Sequence, residues 1–136
     1  MKKSIYNILK ECSVPKSKQE RVQLLQQTCP TVVQNILKYA FDPSIEFDLP
    51  DGKPPFKPNE YLDQEGRLYA EARKLYLFVK GTNPNMSKLK RETLFIQFIE
   101  GIDKEDAELI CCVKDKKLPF KTLTSEIVKK AFPELY

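Results

Sequence analysis

Residues Ala107–Pro133 read AELICCVKDKKLPFKTLTSEIVKKAFP. Up to Val113 the stretch leaves almost no polar face, so its spacing predicts a buried helix. Beyond the turn, Ile127, Val128, Ala131 and Phe132 predict a second helix, closed by Pro133. Thr124 precedes it as an N-cap, since its hydroxyl can accept a first-turn N–H. Between the two helices the chain is rich in lysine. Lys114, Lys116, Lys117, Lys121, Lys129 and Lys130 stand against Asp115 and Glu126, a local net charge of +4 that equals the formal charge of the whole chain. A basic turn entering a helix N-terminus suits a phosphate, because the free N–H groups of Thr124, Ser125 and Glu126 and the ammonium groups would point the same way. These lysines are candidate nucleic-acid contacts; the competing reading is an ordinary solvated face. Phe120 would either stack on a base or pin the turn to the core.

A second basic group, Lys88, Lys90 and Arg91, falls in the first turn of the preceding long helix. Cations there oppose the helix dipole, which hints that a partner uses them. The alternative is pairing with Glu92 or with acids of another segment. This helix, capped by Asn85 or Ser87, is read with a stripe of Leu89, Thr93, Ile96 and Ile99–Glu100, widened by Phe95 and Phe98. Gly101 ends it. Asp103 caps the next helix, with Asp106 as its reciprocal partner.

Upstream, Ile5, Ile8, Leu9 and Cys12 fall on one helical face, and Val14-Pro15 ends that helix. Ser17 and Glu20 form a capping-box signature opening a second helix with Val22 and Leu25 inward. Pro30 suits the first turn of a third, which carries Val32, Val33, Ile36, Leu37 and Ala40. Residues 67–80 predict one long helix with Leu68, Ala72, Leu75, Tyr76 and Val79 in register, capped by Gly81. Residues 42–62 differ in kind. Five prolines and Gly52 exclude a helix interior, and Phe47, Phe56 and Tyr61 suggest a strap packed across the helices. From Asp42 to Glu65 seven acids meet two lysines, leaving +9 on the remainder of the chain. The expectation is one all-α domain over residues 1–136: a single irregular bundle of about seven helices, joined by a long acidic Pro-rich connection.

The composition narrows the chemistry. There is no histidine among the 136 residues, which removes the commonest general base and metal ligand. The spacing of Cys12, Cys29, Cys111 and Cys112 fits neither a zinc knuckle nor a redox pair, so buried free thiols are expected. No phosphate-loop motif is present, and the acids around Asp103 belong at a helix start on stability grounds. Neither an enzyme active site nor a cofactor nor a metal site is expected. No apolar run is long enough to span a membrane, and the interrupted N-terminal segment is not a signal-peptide core.

Two resemblances extend this reading. Tyr39–Pro43 (YAFDP), Leu68–Val79 (LYAEARKLYLFV), Arg91–Asp103 (RETLFIQFIEGID) and Val113–Leu135 resemble small, mostly uncharacterised proteins of large tailed bacteriophages. More distantly, the chain resembles the N-terminal helical DNA-binding domain of phage-type ATP-dependent DNA ligases. The residues that carry this are Lys18-Gln19-Glu20, Phe41-Asp42-Pro43 with Phe47, Lys114-Asp115, Thr124, and Phe132-Pro133-Glu134-Leu135. The resemblance implies a ligase-domain-like fold with duplex DNA lying near Lys114, Lys116, Lys117, Thr122 and Thr124. The nucleotidyl-lysine motif Lys-x-Asp-Gly is absent, so ligation itself is not expected. Together these readings predict a non-enzymatic phage accessory protein that binds duplex DNA without reading sequence, alongside replication, repair or transcription machinery. It would act in the cytoplasm of the infected host, with the virion as the other location. The alternative is a protein–protein adaptor or virion-associated protein that works through the acidic strap.

Overall fold

A computed structural model describes residues 3–136. Among these residues the chain forms seven α-helices, one 3₁₀ helix and no strand. In order they are α1 (Ile5–Ser13), α2 (Lys18–Thr28), α3 (Thr31–Phe41), α4 (Arg67–Glu71), the 3₁₀ helix (Ala72–Phe78), α5 (Lys88–Glu100), α6 (Lys104–Lys114) and α7 (Ser125–Ala131). α6 is the central element: α1, α3 and α5 all pack on it, while α7 lies against α2. Its sequence explains the position, since Ala107, Leu109, Ile110, Cys111 and Val113 are buried all round.

Periodicity located α1, α3 and α7 well. Ile5, Leu9 and Cys12 are fully buried, as are Val33, Ile36 and Leu37. Ser4 caps α1 by accepting from the Asn7 N–H, and Thr124 caps α7 by accepting from that of Ile127. The two reciprocal caps do not form. The Ser17 side chain makes no cap bond. Asp103 accepts from the Glu105 and Asp106 N–H groups, but Asp106 turns away to α1.

The long helix expected over residues 67–80 is corrected. After α4 the chain tightens to three residues per turn, which places Leu75 and Phe78 inward at i, i+3 and leaves Tyr76 half-exposed. Val79 is extended and faces Phe47 in one antiparallel bridge, where Asp48 N–H donates to Phe78 and Lys80 N–H to Glu46, both at 2.8 Å. Gly81 takes φ +84° in the following turn rather than capping a helix. In α5 the buried face is rotated from the expected stripe: Arg91, Phe95, Phe98 and Ile99 point inward, while Leu89 is 75% exposed. Phe95 and Phe98 both meet Phe78 edge-on, with ring centroids 5.3 and 5.9 Å apart.

The strap packs across the helices as expected through Phe47, buried beside Tyr39, and half-buried Leu49 and Phe56. Tyr61 does not join them and is 82% exposed.

Candidate functional site

The structure divides the basic residues singled out above into two groups. The first is Lys114, Lys116 and Arg91, whose charges are taken up inside the molecule. Lys114 ends α6 with a nearly inaccessible side chain; its ammonium donates to the Pro50 carbonyl at 2.6 Å and to Asp115 at 2.7 Å. The Asp115 carboxylate in turn accepts from the Gly52 N–H. Gly52 sits at φ +88°, a conformation open to glycine at little cost. Arg91 makes an ion pair with Asp48 at 3.1 Å and donates to the carbonyls of Asn83 and Met86. Both cations therefore fasten the strap from beneath.

Lys116 does something less usual. It lies at φ +63°, where glycine is the common choice. Its N–H donates to Val113 and that of Lys117 to Cys112, the paired bonds of a Schellman helix end. Its ammonium then reaches the end of α3 and donates to the carbonyls of Tyr39 (2.6 Å) and Asp42 (2.8 Å). The Tyr39 carbonyl is among those a helix C-terminus leaves unpaired, while that of Asp42, at the C-cap, also accepts from the Ile45 N–H. One lysine thus closes two helix ends, and burial lowers its pKa despite the pull of Asp42 and Glu46.

The second group faces solvent: Lys88, Lys90, Lys117, Lys121, Lys129 and Lys130. Four of these six lie on α7 or the turn before it. α7 packs along α2, where Gln26 donates to the Ala131 carbonyl at 3.1 Å. At the other end Glu126 receives two ammonium groups on one oxygen, Lys130 at 3.3 Å and Lys18 at 3.8 Å. Lys130 first and Lys18 second hold the Glu126 carboxyl below its usual pKa. Lys18 was not among the expected contacts, and it lines one cleft with Val22 and Lys130. Lys129 lies over the Tyr136 ring, 5.2 Å from its centroid. Lys88 and Lys90 are apart from this group, on a helix that packs on α6 and the 3₁₀ helix.

The remaining candidates are structural or neutral in placement. The Thr122 hydroxyl donates to the Ser13 carbonyl at 2.8 Å. Thr124 spends its hydroxyl on the α7 cap, and α7 is only seven residues long. Phe120 is buried against Tyr6, ring centroids 5.1 Å apart, so it pins the turn to α1.

Two buried polar groups escaped the sequence reading. Arg21, half-way along an expected surface, is 8% exposed and holds the carbonyls of Pro15 and Lys16. Asp106 is wholly buried; one oxygen accepts from the Tyr6 N–H at 2.8 Å, and the other has no partner. An inward-facing position in a helical stripe occupied by a charge would have flagged both. Among the described residues no group of acids and thiols could hold a metal ion, and the four cysteines are unpaired. No helix of the described residues is long and apolar enough to cross a membrane.

No curated protein and no solved structure matches the chain. A family model does match it, over residues 8–119, and the chain belongs to that family, a family of unknown function (DUF6433).

Proposed function

We propose that the protein is a non-enzymatic accessory protein of a tailed bacteriophage that rests on the backbone of duplex DNA without reading its sequence. The observation that carries this is the convergence on Glu126: cations of α2 and α7 meet there over a single carboxylate, while Lys117, Lys121 and Lys129, on α7 or the turn before it, face solvent with no acid partner among the described residues. A cation surplus spanning two packed elements suits a phosphate backbone, whose counterions each bound lysine releases. The resemblance to the ligase DNA-binding domain supports the same partner and a ligase-domain-like fold, with the contact shifted from Lys114 and Lys116 to their exposed neighbours. The replication, repair or transcription machinery of the infected host cell would be its setting. The test is fluorescence anisotropy with a labelled duplex at low salt. Binding that weakens steeply with salt and is lost in Lys129→Glu with Lys130→Glu supports the proposal; no binding of the unaltered chain at low salt overturns it.

One observation favours the adaptor reading. Tyr61 and Leu62, at the end of the strap, are 82% and 85% exposed next to each other. Adjacent exposed apolar side chains suit a protein partner. Pull-down from infected cells with Tyr61→Ser and Leu62→Ser separates the two: a partner that survives nuclease and is lost in this variant supports the adaptor.

A further inference from the structure

The surface just described borders an element that reads, in sequence, as a mere helix break. After α1 ends at Ser13, Val14-Pro15-Lys16-Ser17 turns the chain into α2. Val14 is 73% exposed, and Lys16 and Lys18 beside it face solvent. An aliphatic side chain standing free just ahead of two solvent-facing lysines is not explained by packing.

The turn is held firmly from behind. Arg21 donates from one guanidinium nitrogen to the carbonyls of Pro15 (2.7 Å) and Lys16 (3.0 Å). Thr122, from the turn before α7, donates to the carbonyl of Ser13. Three carbonyls are drawn inward by two anchors from different elements. A turn held in this way loses little conformational freedom on binding. The Lys18–Glu126–Lys130 contact joins it to the α7 lysines, so the turn and α7 form one continuous surface.

Resting on the function proposed above, we infer that this turn is the groove-facing edge of the DNA surface, with Val14 against the sugar edges of a duplex and Lys16 and Lys18 on the flanking phosphates. The choice of duplex over single strand follows from the aromatic residues. A single-strand platform needs open ring faces on which bases stack. Here Phe120 is buried against Tyr6, while the Tyr136 ring lies under Lys129 and its hydroxyl is hydrogen-bonded to Ser125 at 2.6 Å. A short exposed apolar side chain followed by two lysines fits instead the apolar contacts that groove-binding proteins make with a duplex.

The experiment compares a labelled duplex with its single strand in anisotropy titrations across a salt series, using the full chain. Duplex is expected to bind more tightly. Lys16→Gln with Lys18→Gln should reduce the slope of log affinity against log salt by about 2, at roughly 0.9 per phosphate contact. Val14→Ser should weaken duplex binding about threefold to tenfold, for loss of apolar burial, with the slope unchanged. All three side chains are exposed, so circular dichroism should be unaltered. Unaltered duplex binding in both variants overturns this inference and leaves the proposed function standing, as does tighter binding of the single strand. A wild-type chain that binds neither overturns both.

Discussion

Lys114 and Lys130 belong to the same basic stretch, yet one is buried beneath the strap and the other stands in solvent on α7. The boundary between the two halves is the helix end at Lys116. Up to that point the lysines follow α6 into the core, where carbonyls and Asp115 receive them. Beyond it the chain turns out, and the lysines keep their charges available. Charge density along a sequence therefore says little about which cations a partner can reach. What decides is whether an unpaired carbonyl or carboxylate of the same molecule lies within reach first.

Lys114→Ala should cost about 3 kcal/mol of folding stability, because the Pro50 carbonyl loses its ammonium donor and the half-buried Asp115 carboxylate its charge partner. Urea unfolding measures it; a loss below about 0.5 kcal/mol, typical of a surface change, would place Lys114 with the exposed group.

α6 also buries a charge at its other end, and there the sign is opposite. Burial, chiefly, pushes the Asp106 carboxyl up from its ordinary 3.8 to about 7, against the Tyr6 N–H bond and with help from Asp103, Glu105 and Glu65. The folded chain thus keeps a proton that the unfolded chain has already released. Its stabilising contribution is complete below the ordinary value and fades as pH rises through about 7. Asp106→Asn, which keeps the acceptor for Tyr6, should flatten that decline and raise stability near pH 8 by about 2 kcal/mol. An unchanged stability profile between pH 4 and 8, measured by thermal unfolding, would contradict a buried titrating carboxyl.

Lys116 sharpens the boundary itself. Alanine and glycine both remove the ammonium that caps α3, but only glycine relieves the positive φ. Lys116→Gly should be more stable than Lys116→Ala by about 1 kcal/mol. Equal stabilities in denaturant titrations would mean that the backbone there is not in the left-handed region. Smallest of all, Lys129→Gln with Lys130→Gln should leave folding stability within about 0.5 kcal/mol of the parent.

The sequence showed α1, α3 and α7 clearly, because each carries aliphatic residues at helical spacing, and α7 a recognisable cap in Thr124 as well. It misled where another period or a charged residue intervened. The 3₁₀ helix placed Phe78 inward and Tyr76 outward, against a reading that assumed 3.6 residues per turn. In α5, Arg91 occupies the core face and Leu89 the solvent face, since the aliphatic stem of arginine packs while its head finds carbonyls and Asp48. The basic character of the α6–α7 region was legible, but its division was not: the backbone carbonyls that receive Lys114 and Lys116 lie more than sixty residues away in sequence. For the same reason Lys18 gave no hint of joining α7, a neighbour only in space.

The measurement that bears most directly on the account is amide hydrogen exchange of the full chain with and without a short duplex. A bound duplex should slow exchange in the α1–α2 turn, the start of α2 and residues 117–130, with the strap unchanged. Protection confined to residues 44–62, or none at all while the duplex is present in excess, would contradict it.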